Sequence, residues 1–446
     1  MNSDTTPETR WKPAEAKSGF ARAALPESFL VSLYRVLAPY RGCAHGCRYC
    51  DGRAEKYYVE GDFERDILAR TNLSELVASD IASGAALREF GSVCIGSGVT
   101  DVYQPLEREL ELTRKTLEAL VPAQIPVVIL TKSDLILRDF DLLAQFPKAL
   151  VICTVTTANP EHAAILEPGA SSPAARLEVV RKAKEAGFSS GIMAMPLCPG
   201  ITATDESLGS LLDAAEAAGA DFVYPGGLTL RPGRQKDLFV SVLDGQFPEL
   251  RGEYDRLFAE NRPSGMPLAA SASAFARDCD RMLRSRGIPQ MIPHSIYRDL
   301  LSPADSLFVL FCHLQSLFAL RGVDTRPLKA ATDRYAAWLK AERTALRRKR
   351  IKSAGSDPFP DTRILADKLA CLCGGETPAL RDVELPFDSP IDSPLAYSPG
   401  TDAGEDLSAI RNIEALLGNR KLAELARSIV IGGAVYDYPD LSVGRK

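Results

Sequence analysis

The chain carries little that would tie it to a membrane, a polyanion or an oxidising compartment. Its formal net charge is only −5, so no global field draws it toward nucleic acid or an anionic surface. The longest apolar run, residues 307–320, is interrupted by His313 and Gln315 and is too short to span a bilayer. Residues 1–16 are polar, with acidic residues and prolines, and contain no signal-peptide core. No internal repeat and no sustained heptad pattern is present. Histidine is scarce, four in all, and His162, His294 and His313 have no motif around them, which makes them ordinary core or surface residues. Most of the ten cysteines stand singly in apolar runs, as reduced thiols do, and not as a secreted disulfide framework. These absences predict a soluble, cytoplasmic protein with no membrane association. A hydrophobic content of 46% and a charged content of 25% supply a substantial core, and 446 residues suggest two to three domains.

What is present is concentrated in Tyr40-Arg41-Gly42-Cys43-Ala44-His45-Gly46-Cys47-Arg48-Tyr49-Cys50, where three cysteines follow the pattern C-x3-C-x2-C. Three thiols this close cannot all pair as disulfides, and the loop is too tight for unstrained bridges. As thiolates they can wrap one face of a metal site, and soft sulfur ligands select iron–sulfur clusters, zinc or copper(I). Zinc wants a fourth protein ligand from a second C-x2-C or H-x3-H pair, and none lies nearby. His45 is inside the same loop, where reaching the metal of its neighbours is awkward. Three ligands on a four-iron cluster would leave one iron open. Cys371-Leu372-Cys373 lacks further ligands at a recognisable spacing and reads as a helix C-terminus.

Around this loop, strand and helix patterns alternate. Short apolar, β-branched segments at 29–37, 92–95, 125–130, 149–155, 191–195 and 222–224 read as strands. Helical patterns at 73–82, 106–120, 134–145, 176–186 and 205–218 separate them, with Asn72 as a candidate N-cap and Gly84, Gly187 and Gly219 as stops. Strands alternating with helices give βαβ units and a parallel sheet. Six units do not close an eight-stranded barrel, so the expectation is an α/β fold, an incomplete (β/α)6 barrel over residues 26–260, preceded by a disordered arm at 1–25. Residues 261–446 read as a mainly helical C-terminal region. It has helices at 302–321 and 325–350, a Pro/Asp/Ser-rich linker at about 377–404 and helical periodicity over 407–429. The basic run at 340–352 reads as a solvated helix face. Polar clusters end the predicted strands, where such sheets place their active sites. They are Thr100-Asp101, Thr131-Lys132-Ser133 and Thr154 with Thr156.

The cysteine spacing resembles that of the radical S-adenosylmethionine (SAM) enzymes. Further along, Thr100-Asp101, Thr131-Lys132-Ser133, the segment from Leu166-Glu167-Pro168-Gly169 to Pro173 with Arg176, and Ala186-Gly187-Phe188 running into Ala194-Met195-Pro196 resemble the spore photoproduct lyase family within that superfamily. The likeness covers about residues 38–230. The opening Pro39-Tyr40-Arg41-Gly42-Cys43 is more similar to uncharacterised members from organisms without spores. The resemblance implies a radical SAM barrel, a [4Fe–4S] cluster on Cys43, Cys47 and Cys50, and SAM on the open iron. It implies reductive cleavage of SAM and hydrogen abstraction from a substrate, with an external one-electron reductant of the flavodoxin or ferredoxin type. By the same resemblance Tyr49, Thr100, Asp101, Lys132 and Thr154 contact SAM. Glu167 and Arg176 read as a loop staple, paired with each other, with direct SAM contact as the alternative. Two positions depart from the lyase: Asp51 replaces the tyrosine after the third cysteine, and Gly98 stands where the lyase has its hydrogen-donating cysteine. Cys94 falls within a strand. Lyase-type DNA repair is therefore the second reading, and a non-catalytic zinc or regulatory module on a degenerate barrel the third.

Overall fold

The computed structural model describes residues 9–57, 61–84, 87, 89–96, 99–322, 325–348, 428–431 and 434–437. These fall into two compact units, the first ending at Leu301 and the second beginning at Ser302.

The first unit is built on six parallel strands. They are β1 (Ser32–Val36), β2 (Val93–Ile95), β3 (Val127–Thr131), β4 (Ala149–Thr154), β5 (Ser189–Leu197) and β6 (Val223–Gly227). Each pairs in parallel with the next, so spatial order follows chain order. All six expected strands form. Their sequences explain why: β2 and β4 are buried at every position, as strands covered on both faces must be, and Val127-Val128-Ile129 favours extended backbone. Helices α1 (Leu73–Ala82), α2 (Leu112–Leu120), α3 (Pro173–Glu185) and α4 (Asp205–Ala217) fall between the strands, with α5 (Arg234–Gln246) and α6 (Ala269–Arg286) after β6. The sheet stays open among the described residues. Beyond β1 its last strand is Phe20–Glu27, which runs antiparallel.

That edge strand corrects the expected disordered arm. Phe20–Glu27 pairs with β1, and Arg10–Ala14 pairs in parallel with Asp66–Arg70. The side chains of Arg10–Ala14 are largely exposed, so no apolar period marks the strand in sequence; its hydrogen-bond partner lies more than fifty residues away. Asn72 does not cap α1 through its side chain. Its carboxamide instead accepts from the Ala16 N–H at 2.8 Å and donates to the Ala16 carbonyl at 3.1 Å, pinning the same N-terminal segment. The helix expected over 106–120 is broken by Glu111, which adopts a left-handed φ of 52° between Glu107–Leu110 and α2. The expected helix at 134–145 is a 3₁₀ turn, Asp134–Asp139, followed by Phe140–Leu143. The barrel unit extends past 260, because α6 packs on β6 and the Val223 N–H donates to the Pro289 carbonyl at 2.9 Å.

In the second unit, α7 (Pro303–Leu320) and α8 (Arg326–Arg348) pack together, joined by a buried ion pair between Asp305 and Arg343. Ser428–Ile431 and Ala434–Asp437 form an antiparallel hairpin. The helical reading over 407–429 is thus corrected at its end, where Ile429-Val430-Ile431 prefers a strand. The linker at 377–404, most of the segment at 407–429, Gly98 and Cys371-Leu372-Cys373 lie outside the described residues. No described helix is long and apolar enough to cross a membrane.

Candidate metal centre

Asp66–Arg70 also pairs with Tyr40–Arg41, and this short antiparallel ladder launches the cysteine loop. Gly42 turns the chain at a left-handed φ of 86°, and the Cys43 N–H donates to the Phe63 carbonyl at 2.8 Å. Two tight turns follow, with the Gly46 N–H on the Cys43 carbonyl and the Cys50 N–H on the Cys47 carbonyl. Cys43 and Cys47 are buried, Cys50 is half-buried, and all three are free thiols. Burial pushes all three thiols above their ordinary range, Cys47 to about 12. Among the described residues, no three His, Cys, Asp or Glu side chains gather as tightly as one ion would need.

Each part of the loop is held by the segment following a different strand. After β2, Thr100 Oγ1 donates to the Tyr40 carbonyl at 3.3 Å. Gln104, fully buried, donates to the Gly42 carbonyl at 3.2 Å and accepts from the Ala44 N–H at 2.9 Å, so one carboxamide spans Cys43. After β4, the Leu166 carbonyl accepts from the Arg48 N–H at 2.8 Å and the Gly169 N–H donates to the His45 carbonyl at 2.9 Å. A side chain at Gly169 is impossible without movement, since a Cβ there would lie 2.4 Å from the Ala44 carbonyl oxygen. After β6, buried Gln235 donates to the carbonyls of Tyr49 at 2.8 Å and Thr229 at 2.7 Å, and Arg231 pairs with Asp51 at 2.5 Å. The position that departs from the lyase is therefore a tie between the cysteine loop and the last strand's loop.

The residues expected to contact SAM take distinct places. Asp101 accepts at Oδ1 from Thr131 Oγ1 (2.7 Å) and the Tyr103 N–H (2.8 Å), and at Oδ2 from the Lys132 N–H (2.7 Å). His45 Nε2 lies 3.3 Å from the same Oδ2. Burial alone would raise this carboxyl, but the His45 ring and the surrounding N–H groups outweigh it and hold it low. The acceptor positions of Asp101 are thus filled from within the protein. Tyr49 is buried within the loop, and its hydroxyl donates to Glu167. Arg176 and Glu167 form the expected staple: Nη2 lies 2.5 Å from Oε2, and both side chains are fully buried. Thr154, at the end of β4, gives its carbonyl to Arg176 Nη1 at 2.8 Å, while the Thr156 hydroxyl donates to Glu167 at 3.0 Å. Lys132 differs from the others. Its ammonium is 4.0 Å from Glu167 and 5.7 Å from the Tyr49 ring centre, and its side chain makes no hydrogen bond among the described residues. Cys94 is fully buried within β2. The sequence does not single out Gln104, Gln235 or Arg231, since an isolated polar residue carries no local mark of a partner sixty or more positions away.

The structure thus combines an open parallel α/β sheet with three free thiols in one loop at its strand C-terminal ends, an arrangement of the incomplete-barrel class. The family model described as the radical SAM superfamily matches residues 37–212. An uncharacterized protein of Mycobacterium bovis is 32% identical over 243 residues, covering 53% of this chain and 68% of the relative. An uncharacterized protein of Methanocaldococcus jannaschii is 27% identical over 215 residues, covering 48% of this chain and 76% of the relative. The chain belongs to the radical SAM superfamily. Membership implies a SAM-dependent radical enzyme with an iron–sulfur cluster. Solved structures similar to it include spore photoproduct lyase complexed with dinucleoside spore photoproduct, at 15% identity and a TM-score of 0.40 over 54% of this chain and 66% of that one. A tyrosine-to-phenylalanine variant of the same lyase gives 15% identity and a TM-score of 0.46 over 62% and 79%.

Proposed function

We propose that Cys43, Cys47 and Cys50 hold a [4Fe–4S] cluster and that the protein uses it to cleave SAM reductively and abstract a hydrogen atom from its substrate. The observation that carries this reading is the triple bracing of the cysteine loop: segments after β2, β4 and β6 each grip a different part of it. Three free thiols in a loop so fixed suit a cluster that needs three soft ligands and one open iron. The cluster, when bound, supplies the electron that breaks the sulfonium bond; the protein supplies orientation and shelter.

The chain's own residues divide into positioning and binding groups. Asp101, Tyr49 and Glu167 shape the loop, since their polar atoms are already engaged within the protein. Lys132 is the group available to an anion, and the SAM carboxylate suits it. Thr154 ends β4 and Thr100 lies in the segment after β2, the strands on either side of β3, and SAM would lie there. A one-electron reductant of the flavodoxin or ferredoxin type completes the system. Nucleic-acid repair finds no support in a net charge of −5.

The test is anaerobic reconstitution with iron and sulfide, followed by dithionite and SAM. About four irons per chain and release of 5′-deoxyadenosine with methionine, even without substrate, are expected. A loaded protein that binds SAM but never cleaves it under reduction would overturn the enzymatic reading. A colourless protein that retains zinc would favour the regulatory module.

A further inference from the structure

We propose that Gln104 is a positioning residue for the first cluster ligand, Cys43, and that it also withholds a backbone donor from the cluster; this rests on the function proposed above. The side chain is fully buried, and both ends of its carboxamide are used. Nε2 donates to the Gly42 carbonyl at 3.2 Å, and Oε1 accepts from the Ala44 N–H at 2.9 Å. These are the backbone groups immediately before and after Cys43. A carboxamide is the side chain that can do both at once, offering one donor and one acceptor from a single planar group. It therefore fixes the peptide planes on either side of the ligand, as a neighbouring strand would.

The second consequence concerns the cluster's potential. Backbone N–H groups that donate to cluster or cysteine sulfur stabilise the reduced, more negative state and move the potential upward. The Ala44 N–H adjoins the first ligand, yet Gln104 takes it. A site that must deliver a strongly reducing electron gains from keeping such a donor occupied. Gln235 does not share this second role: it donates to the Tyr49 carbonyl and so takes no loop N–H from the cluster.

The experiment compares reconstituted full-length wild type with Gln104→Met and Gln290→Met. Methionine keeps the volume and removes both polar groups. Gln290 is the control, another buried carboxamide of the same unit, which donates to Asp280 at 3.2 Å and does not touch the cysteine loop. Iron retention against a chelator, the electron paramagnetic resonance spectrum of the reduced cluster and its midpoint potential are read without SAM. Gln104→Met is expected to lose iron about 10-fold faster, to show an altered spectrum and to have a more positive midpoint, while Gln290→Met matches wild type. If Gln104→Met does not fold, Gln104→Asn, with both polar groups set back by one methylene, is expected to give smaller changes of the same sign. Loaded wild type and a folded Gln104 variant with the same iron loss, spectrum and midpoint would overturn the inference alone. A wild type that takes up no iron would overturn the proposed function and this inference with it.

Discussion

His45 and Asp101 face each other in the buried floor of the cysteine loop, with Nε2 3.3 Å from Oδ2. The other ring nitrogen, Nδ1, is 2.8 Å from the Gly169 carbonyl. A carbonyl only accepts, so Nδ1 carries a proton, and one imidazole joins the segment after β2 to the segment after β4. The aspartate is thereby committed to architecture: three N–H or O–H donors and this ring surround its two oxygens.

Asp101→Asn separates that role from direct SAM binding. A carboxamide offers one acceptor oxygen, so its NH2 group must face donors on one side. Leaving buried donors unmatched costs about 1–3 kcal/mol each. The variant is expected to unfold at lower denaturant concentration and to retain less iron. If Asp101 acted only by receiving the SAM ammonium, iron and stability would stay at wild-type levels and the SAM requirement alone would rise.

Substitution of any one of Cys43, Cys47 or Cys50 by alanine should remove most bound iron. Cys153→Ala and Cys198→Ala provide the comparison, since both thiols are fully buried, lie in the same unit and stand outside the loop. Iron per chain after anaerobic reconstitution decides the matter. Equal losses from all five variants would mean that the spacing of the three cysteines is not what holds the metal.

The parts of this molecule written in local sequence are those governed by local chemistry. The buried β-branched runs at β3 and β4 appear because extended backbone and full burial impose the same composition. The stops at Gly187 and Gly219 appear because each takes a left-handed φ, 82° and 73°. Arg10–Ala14 is held chiefly by backbone pairing to a distant segment, which leaves no periodic trace. Glu111 breaks a helix with neither glycine nor proline to announce it. The site divides in the same way. Three cysteines at fixed spacing mark out the loop, and Glu167 with Arg176, nine residues apart, could be read as a pair. Gln104 and Gln235 reach the loop from 60 and 186 residues away, and only the folded sheet brings them there.

Lys132→Met tests the proposed anion contact. The ammonium has no hydrogen bond among the described residues to lose, so the fold should tolerate the change. A charge-assisted bond to a carboxylate is worth about 1.5–3 kcal/mol, which is about 10- to 100-fold in affinity. SAM binding, followed by calorimetry on the oxidised, loaded protein, should weaken by that factor with iron content unchanged. Wild-type affinity would remove Lys132 from the SAM site.

The last prediction concerns acid. Glu167 is buried against Arg176 at 2.5 Å, accepts from the hydroxyls of Thr156 and Tyr49, and has the Lys132 ammonium 4.0 Å away. Burial by itself would raise its carboxyl, but Arg176, then Lys132, then the hydrogen bonds from Arg176 and Tyr49 bring it down to about 2. A carboxyl lowered on folding binds fewer protons in the native state than in the unfolded chain. Its stabilisation is therefore fully present above the ordinary glutamate value, about 4.3, and is lost as pH falls toward about 2. Glu167→Gln removes the charge while keeping the shape, leaving the Arg176 guanidinium buried without its counter-ion. Breaking one half of a buried pair costs about 3–5 kcal/mol, so the variant should be less stable than wild type by that amount at neutral pH. Below the ordinary glutamate range the gap should close, because wild type is giving up the same carboxylate. Denaturant midpoints for both proteins across this acid range would show the two curves converging. Parallel curves would mean that Glu167 is not the group that makes the fold acid-sensitive, and that the staple between β4's following loop and α3 contributes no charge-dependent stability.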